Sequence, residues 1–482
     1  MTTFLISLAV LVGGYFIYGL LVEKVFGIDP SRLTPAAKHP DGVDFVPLPT
    51  WKVFMIQFLN IAGVGPIFGA IMGVMFGPAA FLWIVLGTIF AGAVHDFTSA
   101  MLSLRQDGVS LPEVVGNELG GGARQVMRVF SVVLLVLVGA VFVITPSGLL
   151  ASMTPDYMDV TFWAVVIFLY YLFATMLPID KLIGKLYPLF GGALLFMAVA
   201  LMGVMLFGGV GIPDGMADGL YNRHPQAETH ALFPMLFISI ACGALSGFHA
   251  TQSPMMARCL KNERLARPVF YGAMVAEGIV ALIWAAAAIA FTGGYQDLAE
   301  YMAVDGHTPG TLVHDVSIGW LGAFGGVLAI IGVVAAPITT GDTALRSVRL
   351  IVADTLKLDQ RKFLKRALIS VPLFAVTFAV MMVDFQVLWR YFAWSNQSLA
   401  VFTLWAVTVY LARNRRFFYI TLIPALFMTV VTVSYIFMAP EGFSLDIDLS
   451  LGIGVTAAVV LLAWFAAKLP AMRRETRPLA AD

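Results

Sequence analysis

Residues 240–254 read Ile240-Ala241-Cys242-Gly243-Ala244-Leu245-Ser246-Gly247-Phe248-His249-Ala250-Thr251-Gln252-Ser253-Pro254. They sit inside an apolar run from 232 to 258, yet they carry two glycines, a histidine, a glutamine and a proline. Proline removes a backbone donor and clashes with the preceding turn. Glycine lowers the cost of leaving the helix. A helix broken in mid-membrane is expected, with Ser253 capping a second half that starts at Pro254. The same punctuation occurs earlier, in Asn60-Ile61-Ala62-Gly63-Val64-Gly65-Pro66-Ile67, within the run 51–76. Unpaired backbone is tolerated at such depth only where it lines a cavity.

Working outward, apolar runs fall at 3–22, 51–76, 78–104, 126–146, 160–177, 186–208, 232–258, 268–291, 318–350, 366–383, 386–411, 416–438 and 450–468. About 20 apolar residues cross a bilayer as a helix. The runs are too long, and too little alternating, for barrel strands. The fold class is therefore an all-α membrane protein with about 13 transmembrane helices. Composition agrees: 60% of the 482 residues are hydrophobic and 12% are charged, with mean hydropathy +0.88. A soluble domain is about 25% charged. The 29 basic and 29 acidic residues cancel, which argues against a nucleic-acid partner. Cys242 and Cys259 lie in or beside apolar runs, so no disulfide is expected. No cleavable signal peptide is expected, and no Walker motif is present.

Basic residues favour the cytoplasmic side of short loops. Connections alternate between basic (Lys24, Arg32, Lys38; Arg105, Arg124; Lys181, Lys185; Arg258 to Arg267; Arg346 to Arg366; Arg413 to Arg416; Lys468 to Arg477) and nearly free of Lys and Arg. Only Arg223 and Arg390 fall outside. The N-terminus is expected outside and the C-terminus in the cytoplasm.

The two broken runs are the second and the seventh. Each opens a set of five, and five is odd, so the sets have opposite orientations. That is the pattern of an inverted-repeat transporter. The expected parts are a first helix and linker (1–50), one repeat (51–208), a second repeat (232–411), and two helices with a tail (412–482). Residues 111–122 read as a short interfacial helix, and 292–317 as the longest outer connection.

Several segments resemble the carbon starvation protein A family. They are Asn60 to Ile67, Ala91-Gly92-Ala93-Val94-His95-Asp96-Phe97, Arg105-Gln106-Asp107-Gly108, Ser246-Gly247-Phe248-His249, and Thr339-Thr340-Gly341-Asp342-Thr343-Ala344-Leu345-Arg346-Ser347. The likeness runs from about residue 5 to 410. The resemblance implies a carrier of the bacterial inner membrane with a LeuT-like 5+5 inverted repeat, one helix before it and two after. It also implies uptake of peptides or pyruvate. Where pyruvate-type members resemble a Ser-Ser-Gly-Thr-Thr run, this chain reads Ala250-Thr251-Gln252-Ser253-Pro254. That places short peptides ahead of pyruvate or another small carboxylate.

Candidate substrate residues are Asn60, Gly63, Gly65, His249, Gln252, Ser253, Trp394 and Asn396. The half-helix starts at Pro66 and Pro254 favour an anionic group. Acids in the membrane are costly and usually face a pathway. Asp96, Glu277 and Asp342 are thus candidates for a coupling proton, in one shared zone with His95 beside them. A static pair of Asp342 with Arg346 is the bland alternative. The LeuT likeness implies instead a sodium site near Ala62, Thr339 and Thr340, unless those hydroxyls merely bond their own helix. His95, Asp96 and His249 are the residues a metal would use, although no close Cys/His spacing marks a zinc site. No cofactor beyond a coupling proton or sodium ion is expected. The partners are a small-molecule or peptide substrate and the lipid bilayer. A channel or a membrane sensor is the rival, and no enzyme constellation is evident.

Overall fold

The computed structural model describes residues 1–152, 154–176, 183–216, 219–360, 362–383, 385–440 and 442–474. Lys181, Arg361 and Arg477, used in the charge reading, lie outside them. The described residues form helices and connections without strands.

Helix α1 (Thr2–Phe26) leads into a long connection. The second run is two helices, α2 (Thr50–Ala62) and α3 (Gly65–Val74), bent by 52°. The bend sits at Gly63, whose φ of +49° is a left-handed value that side chains resist. Next come α4 (Ala79–Arg105), α5 (Leu111–Leu119), α6 (Gly121–Ser152), α7 (Val160–Met176) and α8 (Ile183–Phe207). The seventh run is again two pieces, α9 (Leu232–Ser239) and α10 (His249–Ala257), separated by unwound backbone. Here Gly243 has φ +92°. Then follow α11 (Gly272–Thr292), α12 (Tyr295–Ala303), α13 (Pro309–Ala329), α14 (Ala335–Leu356), α15 (Phe363–Val380), α16 (Phe385–Arg413), α17 (Tyr419–Met438) and α18 (Ile447–Arg474).

Among the described residues, nine helices are long and apolar enough to cross a membrane, or up to ten if the bent α2–α3 pair is one span. The count of thirteen is not reached by that criterion, for physical reasons. Helix α7 has 17 residues. The α9–α10 pair is interrupted. Helix α16, the expected run 386–411, is not among the nine, and it carries Arg390 and the polar stretch Ser395-Asn396-Gln397-Ser398. Two other expectations change. The outer connection 292–317 is largely helical, holding α12 and the start of α13, and the chain kinks at Gly322 rather than starting a span near 318. Helix α10 starts at His249, not at Pro254. Ser253 does not cap it, because its hydroxyl donates to the His249 carbonyl 3.0 Å away.

Helix α11 is buried on nearly every side. Its small residues Ala285 to Ala288 are fully enclosed, and small side chains let backbones approach closely. It packs on α2 and α3, while α10 packs on α4 and α14 packs on α2 and α6. The outer helices show the reverse. Phe16 and Ile17 on α1, Leu364 and Leu368 on α15, and Val459 and Val460 on α18 point outward. Such apolar surface fits lipid contact.

Candidate functional site

The two unwound stretches cross at the middle of the core. A Cβ added to Gly65 would meet Cys242 Cβ at 2.2 Å and Sγ at 2.5 Å. Only glycine allows that approach. Gly247 is equally constrained: a Cβ there would lie 2.3 Å from both Ala400 N and Asn396 O on α16.

Unwound backbone needs partners, and neighbouring helices supply them. Thr88 donates to the Gly243 carbonyl at 2.8 Å, and Trp83 Nε1 to the Ile240 carbonyl at 3.0 Å. Asn396 Oδ1 accepts from the Phe248 N–H at 2.6 Å and from the Ser246 hydroxyl at 3.0 Å. Asn396 thus holds the break in shape. Its Nδ2 is buried without a partner.

Helix α4 carries a π-helical turn at Thr88–Gly92 and then presents His95 and Asp96, both fully buried. Such turns often mark functional sites. Asp96 joins two histidines: Oδ1 lies 2.8 Å from His95 Nδ1 and Oδ2 lies 2.9 Å from His249 Nδ1. His249 Nε2 faces Glu277 Oε2 at 3.5 Å. Cys242 completes this group, its Sγ and the nearest His249 and Glu277 donor atoms all lying within 4.8 Å of one another. His249 Nε2 and both Glu277 oxygens are buried without hydrogen-bond partners.

Asp342 belongs to a different neighbourhood. Its carboxylate accepts from the Tyr187 hydroxyl on α8, and its Oδ1 has no partner. The Asp342–Arg346 pair is not what forms. Arg346 Nη2 donates to the Ala174 carbonyl at 2.7 Å, and its Nη1 lies 3.5 Å from Asp44. The three acids thus have different partners: Asp96 and Glu277 meet through His249, while Asp342 accepts from Tyr187.

The hydroxyls on α14 are occupied. Thr339 donates to Ala336 O at 2.8 Å within its own helix, and Thr340 donates to Leu59 O on α2 at 3.1 Å. Thr340 also borders Gly63, and Ala62 is fully buried beside them. Gln252 donates to Thr251 and lies 3.4 Å from the Ser347 hydroxyl, while Ser253 is within 3.4 Å of Gln57 Nε2. These link α10 to α2 and α14. Asn60 is fully buried, and neither polar atom of its amide has a partner. Trp394 does not face this centre. Its Nε1 donates to Thr432 O on α17 at 3.1 Å, and its ring stacks edge-on to Phe130.

Reading the sequence missed Cys242, Tyr187 and Asp44. Asp44 lies in the connection between α1 and α2, only 1% exposed, with Arg346 and Arg349 each 3.5 Å away. Burial pushes its carboxyl up, but Arg349, Arg346 and Arg258 outweigh this and hold it below the usual carboxylate range. Close by, Glu263 binds Arg105 at 3.0 Å and the Asp29 N–H at 2.6 Å. The connection between α1 and α2 is thus tied to α4, to α14 and to the segment after α10 by buried ion pairs.

The model of the family described as carbon starvation protein CstA matches residues 1–158, 152–320 and 310–435. An uncharacterized membrane protein of Haemophilus influenzae is 41% identical over 347 residues, 62% of this chain and 94% of that one. The peptide transporter CstA of Escherichia coli is 30% identical over 359 residues, covering 62% of this chain and 51% of its own. The pyruvate/proton symporter BtsT of Escherichia coli is 30% identical over 345 residues, covering 58% and 47%. The match thus spans about half the length of these two transporters.

Proposed function

The chain belongs to the carbon starvation protein CstA family, and from that premise we propose that it is a secondary active transporter importing short peptides by alternating access. The observation that carries this is the crossing of two broken helices at Gly65 and Cys242, ringed by buried polar atoms without partners. Asn60 contributes two, Gln57 and Asn396 one each. Buried polar groups are normally paired, so a buried amide with nothing to bind suits a polar solute. Asn60, Gly63, Gly65, Gln252 and Ser253 border that space. Pyruvate is the second reading, since the relative named for pyruvate is as similar as the one named for peptides. The chain is a multi-pass membrane protein. We place it in the bacterial inner membrane, N-terminus outside and C-terminus in the cytoplasm, with the 5+5 inverted repeat as its frame.

A proton is the coupling ion in this proposal, and Asp342 its carrier. Its carboxyl is fully buried, with one oxygen held by Tyr187 and the other unpaired. Protonation removes the cost of a bare charge in the membrane. The relative named a pyruvate/proton symporter points the same way.

The test is uptake of labelled dipeptides and of pyruvate into proteoliposomes under separate proton and sodium gradients. Dipeptide accumulation driven by an inward proton gradient is expected. No uptake under any gradient overturns the carrier. Uptake that ignores an imposed gradient indicates a channel.

A further inference from the structure

The group Cys242, His249 and Glu277 does not fit a purely hydrogen-bonded core. A thiol, an imidazole nitrogen and a carboxylate converge from two elements, with their donor atoms within 4.8 Å of one another. His249 Nε2 and both Glu277 oxygens lack hydrogen-bond partners although all are buried. A carboxylate without donors in such a place costs several kcal/mol. A positive charge at the centre of the three would offset that cost.

The other nitrogen of His249 narrows its kind. Its Nδ1 is 2.9 Å from Asp96, which is itself anchored on His95. With Nδ1 donating its hydrogen to the carboxylate, Nε2 is left as a lone pair aimed at Glu277. Carboxylate–imidazole pairs of this kind orient metal-ligating histidines and raise their basicity.

We infer that Cys242 Sγ, His249 Nε2 and the Glu277 carboxylate form a binding site for a divalent transition-metal ion of the zinc class, with Asp96 as the positioning residue. The donor set selects that class. Thiolate and imidazole suit zinc and cobalt and disfavour magnesium or calcium, which require oxygen ligands. A divalent cation also neutralises a thiolate and a carboxylate together. Bond lengths of about 2.0–2.3 Å put neighbouring tetrahedral donors about 3.3–3.8 Å apart. His249 and Glu277 already meet that spacing at 3.5 Å. The sulfur moves inward on binding, and the fourth position is left for solvent.

The spacing hid this site in the sequence: the ligands lie at 242, 249 and 277, and the first is on unwound backbone. Because binding is read without transport, failure of this inference leaves the carrier proposal standing, and the reverse holds too.

The test uses the full chain, purified in detergent from cells grown with added zinc and analysed for metal. It is repeated from cells grown with cobalt, since the site is enclosed and loads during folding. One metal per chain is expected, and the cobalt form shows a thiolate-to-metal charge-transfer band in the near ultraviolet. Cys242→Ser removes the band, Glu277→Gln weakens binding, and Asp96→Asn weakens it about 10–100-fold while keeping the band at saturating metal. Thermal unfolding of each variant confirms that it is folded. Metal well below one per chain, metal without the band, or wild-type binding in both Cys242→Ser and Glu277→Gln overturns the site. Metal-free, folded protein shows instead that His249 and Glu277 share a proton.

Discussion

The α-carbon of Gly65 faces the side chain of Cys242 so closely that a Cβ at position 65 would lie 2.2 Å from Cys242 Cβ. Two interrupted helices, far apart in sequence, thus touch without room for a methyl group. The clash is with the root of a side chain and not with a flexible end, so rotation cannot relieve it. Gly65→Ala is expected to destabilise the chain by about 1–3 kcal/mol through overpacking and to push the two breaks apart. Uptake should fall further than stability. Gly13→Ala, in open space on α1, is the control. Uptake and thermal unfolding of both variants check this, and wild-type behaviour of Gly65→Ala would remove the close crossing.

Asp44 ties the connection between α1 and α2 to α14. Removing its charge leaves Arg346 and Arg349 buried beside each other, both fully enclosed. Breaking a buried pair by removing one partner costs about 3–5 kcal/mol, and the 3.5 Å separations point to the lower end. Asp44→Asn should lower the unfolding midpoint and open this end of the core. Cys259 reports the opening: its sulfur lies 3.8 Å from the Asp44 carbonyl and is fully buried. Alkylation of Cys259 by a maleimide should be slow in the wild type and fast in Asp44→Asn. Equal rates would mean that the tie does not close this end.

What could be read from the sequence follows from what a one-dimensional pattern contains. Glycine and proline inside apolar runs mark breaks, and both breaks are where Gly63 and Gly243 turn left-handed. Polar residues in such runs mark the interior, so Asn60, Asp96, His249 and Glu277 were recognisable. Which face a residue presents was harder. Trp394 and Asn396 were placed together, yet residues two apart on a helix point roughly 200° apart. Asn396 turns to the break and Trp394 to α17. Cys242 passed as an apolar residue, and its partners come from distant positions. Asp44 sits in a polar connection where nothing separates a buried acid from a solvated one.

Asp342 gives a test of coupling apart from the His249 cluster. Asp342→Asn keeps the shape and the Tyr187 contact but carries no titratable proton. Proton-driven dipeptide accumulation should fall by at least about tenfold. Exchange of internal for external solute, which needs no net ion movement, should persist. Tyr187→Phe, which removes the donor to Asp342, should shift the pH dependence of uptake and leave exchange intact. Full accumulation by Asp342→Asn would move the coupling elsewhere.

In the connection before α9, His224 stacks on His230 with ring centroids 4.4 Å apart and touches Phe76. Burial, and then the neighbouring His230, push the imidazole of His224 down from 6.5 to about 4. A histidine whose folded pKa is depressed is neutral in the fold and charged in the unfolded chain. Its contribution is therefore complete above pH 6.5 and is lost as pH falls from 6.5 to about 4. Half-exposure and solvent screening keep that contribution small. The unfolding midpoint should decline across this window, and His224→Asn should flatten the decline. Asp44 acts mainly below this window, because its carboxyl is held below its usual value of 3.8: its contribution is present above 3.8 and is lost as pH falls from there towards the lowered folded value. A decline of equal size in His224→Asn would assign the acid sensitivity to another group.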